Sequence, residues 1–259
     1  MDLLSLVSQS TKRKGDFFSE AEKLAKQLKT KRNLGIKMAE TSRVLVKALR
    51  DKQIKWDEYA RSLMQNTLVS ALASVYLGAK DSEPRKRMEQ AWPIIVGDVL
   101  PPLVKFLAET DFRINKGILR IGDQTEDFSE FDFASKPLPP LGDVSEDIPD
   151  EDLLDDIDIE FDPEELEGED KKGKTWIGLF YRVNRYLVSP IYGNSELGIF
   201  LIKRDQGFRE MRRIAKRDKR TCDDCKNFAE LGWQPFGSLP MPGRQCTCYD
   251  RCRCRVEYR

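Results

Sequence analysis

The chain of 259 residues has no histidine, and its first 221 residues have no cysteine. Without imidazole there is no side chain to complete the usual ligand set of a catalytic zinc or to help activate its water. No 18-residue run is wholly apolar, so no membrane span is expected. G-x-S-x-G and the histidine-containing metalloprotease motifs are also missing, which leaves no nucleophile elbow to build an enzyme on. The opening "MDLLSLVSQSTKRKGDFF" puts a short apolar patch ahead of its charges, the reverse of a secretory signal. The expectation is therefore a non-enzymatic protein made and kept in a reducing cytosol.

The formal net charge is +0, yet the charges are segregated. Residues 123–170 hold 21 acidic residues against the single Lys136, while the flanking segments carry net charges of +9 and +11. At that density like charges repel, and isolated aliphatics offer too little apolar surface to offset the entropy of ordering. The stretch reads as a flexible insertion or an extended arm, with Leu153, Leu154, Ile157, Ile159 and Phe161 as anchors for a basic partner or for the chain's own basic end. Asp156, Asp158, Glu160, Asp162 and Glu167 fall near calcium-loop offsets, but Phe161 stands where the sharp turn requires glycine.

Helical periodicity dominates elsewhere, so the fold class is mainly α. The organisation expected is an N-terminal helical domain over 1–121, the acidic insertion over 122–172, a helical region over 173–218 and a cysteine-rich knuckle over 219–259. Ser19 and Glu22 form a capping-box pattern ahead of Leu24, Ala25 and Leu28. A second run over 38–49 puts Val44, Leu45, Ala48 and Leu49 on one side. A third carries Trp56, Tyr59, Ala60, Leu63, Leu68 and Ala71 on its buried face and stops near Gly78. A fourth is broken at Pro93 and again at Pro101 and Pro102. Helix resumes at Trp176, breaks around Pro190 and Gly193, and continues to about Lys216. Trp56, Trp92, Trp176 and Trp233 read as core or interface anchors.

All six cysteines lie between Cys222 and Cys254, spaced C-x2-C, then 20 residues, then C-x-C-x3-C-x-C. A C-x2-C turn sets two sulfurs on one side of a knuckle, and the second cluster can supply two more thiolates to one tetrahedral ion. Between them, Gly232, Pro235, Gly237, Pro240, Pro242 and Gly243 supply the turns that let the ends meet. A structural zinc on Cys222, Cys225 and two of the later four would give this loop-rich tail folding energy that burial cannot, on the order of 10 kcal/mol. Three disulfides are the alternative chemistry. A redox role for Cys222 and Cys225 lacks the βαβ pattern that normally surrounds such a pair.

Taken together, "CDDCKNFAELGWQPFGSLPMPG" and the following cysteines resemble the C-terminal signature of the tailed-bacteriophage minor head proteins, the head-morphogenesis family related to that of phage Mu. The matching positions are Cys222, Cys225, Gly232, Trp233, Pro235, Gly237, Leu239, Pro240, Cys248, Cys252 and Cys254, with Cys246 as an addition. The segment "LRDKQIKWDEYARSLMQNTLVSALASVYLGAK" is similar to the family's N-terminal helical segment, whereas the acidic stretch has no counterpart in it. The resemblance implies a virion structural protein of the head, assembled in the host cytoplasm beside the portal and the major capsid protein. It implies neither catalysis, a small-molecule substrate nor a membrane. Capsid decoration and head–tail connection are variants of the same class. The ligand set it implies is Cys222, Cys225, Cys248 and Cys252, with Cys254 or Cys246 as substitutes. The reading from a different class is a zinc knuckle that binds nucleic acid. There Arg209, Arg212, Arg213, Lys216, Arg217, Lys219 and Arg220 would contact phosphates of packaged DNA, or an acidic partner, and binding would fall steeply with salt.

Overall fold

The computed structural model describes residues 14–79, 83–115, 119, 121, 175–188, 190–216, 221–242, 246–247, 252 and 254–259. The acidic segment expected over 122–172 lies outside them. Four helices form the first part: α1 (Lys14–Leu28), α2 (Lys31–Arg50), α3 (Trp56–Gly78) and α4 (Pro84–Asn115). Two more, α5 (Trp176–Leu187) and α6 (Pro190–Asp205), complete a helical body. A small unit follows, built from β1 (Glu210–Ile214), α7 (Asp223–Glu230), β2 (Gln234–Pro235) and β3 (Arg255–Tyr258).

Helix α3 is the axis of the body, because its sequence is apolar or small on nearly every side. Tyr59, Ala60, Leu63, Met64, Leu68, Leu72 and Val75 are fully buried, and α1, α2, α4, α5 and α6 all pack against it. Two of its buried serine hydroxyls bond to helical carbonyls: Ser74 Oγ donates to Ser70 O at 2.7 Å, and Ser70 Oγ to Leu187 O at 2.9 Å across to α5. The approach to α6 is closest at two glycines. A Cβ on Gly78 would overlap the carbonyl of Ser195, and one on Gly198 would stand 2.5 Å from that of Val75.

Local chemistry sets several boundaries. Lys29, at φ +63, ends α1, and Thr30 Oγ1 accepts from Asn33 N at 3.1 Å to open α2. Glu58 accepts the backbone N–H of Lys55 at 3.0 Å at the start of α3, and Thr175 Oγ1 caps α5 through Gly178 N at 3.0 Å.

Several sequence expectations need correction. Ser19 is not a cap: it lies inside α1, its hydroxyl donating to Gly15 O at 3.1 Å, and Glu22 pairs with Lys26 at 2.7 Å. On α2, Val46 and Leu49 are buried while Val44 is 55% exposed. Helix α4 runs through Pro93, Pro101 and Pro102 without a break. All three prolines face solvent, where water can satisfy the carbonyls they leave without a helical donor. By length and composition α4 also meets the requirement for crossing a bilayer, although charged residues and prolines interrupt its apolar run. Its stripe of Ala91, Trp92, Ile95, Leu103, Phe106 and Leu107 lies in the core of the helical body. Finally, helix does not reach Lys216: α6 stops at Asp205, Gly207 turns the chain at φ +79, and β1 follows.

Candidate metal centre

Strand β1 is the middle of an antiparallel sheet of order β2-β1-β3. Met211 faces Tyr258, Arg212 faces Glu257 and Arg213 faces Val256 across β1–β3, while Met211 faces Gln234 across β1–β2. Alternation sends Met211 and Arg213 inward and Arg212 outward. Met211 closes an apolar cluster with Leu239 and Met241, and it accepts the N–H of Gly237 on Sδ at 3.0 Å. Gly232 and Gly237 take positive φ, +64 and +84, which few other residues tolerate.

On the outward face two guanidinium groups lie over the Trp233 ring, Arg212 at 4.8 Å and Arg259 at 4.4 Å from its centroid. Glu257 holds Arg212 at 2.6 Å and Glu210 holds Arg259 at 2.5 Å, so both cations are fixed in place. The unit docks on the helical body through the stacked Phe200 and Phe236, 4.5 Å apart, and through Tyr192, whose hydroxyl donates to Cys254 O at 3.0 Å.

Next to the apolar cluster lies a core of sulfur. Cys225, Cys246, Cys252 and Cys254 are all buried and pack together, with the half-buried Cys222 against them. The Sγ atoms of Cys225, Cys246 and Cys252 lie within 4.8 Å of one another, a group able to hold a metal ion. Cys225 and Cys252 are 3.7 Å apart, far beyond the ~2.05 Å of a disulfide. That separation matches the roughly 3.75 Å edge of a tetrahedron with Zn–S bonds near 2.3 Å. Among the five described cysteines no pair of sulfurs lies at disulfide distance. Cys225 sits in the first turn of α7, whose N-terminal dipole favours a thiolate, and Asp224 accepts the N–H of Thr247 at 2.8 Å to tie the second cysteine cluster to this helix.

Hydrogen bonds from Cys246 and Cys254 hold the Cys252 thiol far below its ordinary range despite its burial, and the charge of Arg213 adds to the effect. Cys254 is displaced upward, first by its hydrogen bond to Cys252 and then by burial.

Of the ligands expected from sequence, Cys225 and Cys252 are brought together and Cys222 lies at the cluster's edge; Cys248 is outside the described residues. Cys246 belongs to the three-sulfur group, and Cys254 is buried beside it. The basic run divides similarly. Arg209 and Lys216 flank β1, and Arg217, Lys219 and Arg220 are outside the described residues. Arg212 is taken up by Trp233 and Glu257, and Arg213 is 1% exposed. Its inward placement was invisible in a run of charges; the alternation of Met211 and Arg213 was the one available signal.

Fold and site together define a helical body bearing a small cysteine-rich unit able to bind a metal. No protein-family model, curated protein or solved structure matches the chain.

Proposed function

We propose that this chain is a non-enzymatic structural protein of a tailed-bacteriophage head, a minor head protein acting in procapsid assembly beside the portal or the inner capsid. Its C-terminal unit is held by a structural zinc on Cys225, Cys246 and Cys252, with Cys254 as the fourth ligand. The observation that carries this reading is the use made of the signature residues. Gly232 and Gly237 make the turns, Trp233 meets the guanidinium groups of Arg212 and Arg259, Pro235 pairs on β1 and Leu239 fills the apolar cluster. Residues given over to building a compact unit suit a protein that acts by assembling with others. Partners in this reading are the portal and the major capsid protein.

The nucleic-acid reading is less well supported, because Arg212 and Arg213 are engaged within the unit. Mass spectrometry of purified phage particles, native and after chelation, tests the proposal. The chain should be present in few copies per head with one zinc each. Its absence from particles would overturn the head-protein reading, and zinc-free protein would overturn the ligand assignment.

A further inference from the structure

Arg213 belongs to no ion pair with a carboxylate among the described residues, although it is almost wholly buried. One of its terminal nitrogens, Nη2, lies 3.0 Å from Cys252 Sγ, 3.4 Å from Cys225 Sγ and 3.5 Å from Cys246 Sγ. The other, Nη1, donates to Pro240 O at 3.2 Å, and the guanidinium lies 5.2 Å from the centre of the Phe228 ring.

A guanidinium does not lose its proton in a protein, so its burial calls for an anion. Among its described neighbours the Pro240 carbonyl and the Phe228 ring are neutral, which leaves the sulfurs. A divalent ion with four thiolates carries a charge of −2, and with three a charge of −1, so in either case the centre is an anion needing a nearby cation. Strand β1, held by ladders on both sides, aims that cation at the three sulfurs from a fixed direction.

We infer that Arg213 is the countercharge of the metal–thiolate centre and a positioning residue for it, the two N–H groups of one nitrogen being shared among three ligand sulfurs. This rests on the zinc reading above. Hydrogen bonds to a thiolate stabilise the lone pairs that bind the metal, which lowers their energy and slows protonation and exchange. Lysine could return the charge, but without the planar fork that also reaches Pro240.

The test uses the full chain as wild type, Arg213→Met and Arg213→Lys, with metal content, the absorption of the cobalt-substituted forms and the rate of metal loss to EDTA measured on each. Wild type should hold one metal per chain. In Arg213→Met the sulfur-to-cobalt charge-transfer band should move to lower energy, and metal loss should be about tenfold faster, the scale of losing an outer hydrogen-bond partner. Arg213→Lys should fall between, and should Arg213→Met not fold, the lysine variant decides. A band and a rate that match wild type in the folded variants would overturn the role of Arg213 while leaving the metal in place. Wild type without metal would overturn both.

Discussion

Gly198 and Val75 meet backbone to backbone, so that a Cβ on the glycine would stand 2.5 Å from the valine carbonyl. Helices α3 and α6 can pack this closely only because glycine occupies the crossing there and at Gly78. Gly198→Ala should destabilise the protein by about 1–3 kcal/mol, the usual cost of forcing atoms into a packed core. Gly97, in the interior of α4 with nothing near its missing Cβ, is the control, and Gly97→Ala should be neutral or stabilising by up to about 1 kcal/mol. Denaturant unfolding of both variants checks this, and equal effects would show that the crossing is loose.

Acid should release one tie between the helices. Asp205 at the end of α6 is held down to about 2, first by hydrogen bonding from Arg87 and then from Gln90 of α4, against an ordinary value of 3.8. A folded value below the unfolded one means that the stabilisation is complete above about pH 4 and disappears as pH falls through 2. The difference in unfolding midpoint between wild type and Asp205→Asn should therefore be larger at pH 6 than at pH 2.5. A difference independent of pH would mean that the carboxylate contributes no charge-dependent stability.

Trp233 is predicted to hold the outer face of the sheet. Each cation over its ring contributes about 0.5–1 kcal/mol at an exposed site, so Trp233→Ala should loosen β1 and β3, while Trp233→Phe retains part of the stacking. Amide exchange at Arg212 and Glu257 reports it directly, and unchanged protection in the alanine variant would contradict it.

Metal removal should act on one part of the molecule. After chelation the amides of β1, β3 and α7 are expected to exchange rapidly, whereas those of α3 and α6 keep their protection, because the helical core is a separate apolar cluster from the sulfur core. Loss of protection in both would mean that the two fold as one cooperative unit.

Much of this architecture was legible before any coordinates. The period of Tyr59, Ala60, Leu63, Leu68 and Ala71 announces α3, since a helix buried on most sides repeats its apolar residues whatever surrounds it. The thiol spacing likewise points to a cysteine cluster, although the three grouped sulfurs include Cys246, which the spacing did not single out. What stayed hidden depends on distant partners. "EMRRI" has ordinary helix-forming residues, yet pairing with Arg255–Tyr258 makes it a strand, an instance of tertiary contacts overriding local propensity. The same pairing turns Arg213 inward, away from the basic surface its neighbours suggest. The prolines of α4 misled for a simpler reason: whether they break a helix depends on which side meets water.

The middle position of β1 has a consequence in time. Its main ladder partner lies about 45 residues further along the chain, since Arg212 meets Glu257. During synthesis β1 and the first two cysteines emerge well before β3, Cys252 and Cys254. The helical body can therefore settle while its neighbour still waits for a partner, and an exposed strand edge and reduced thiols persist through that interval.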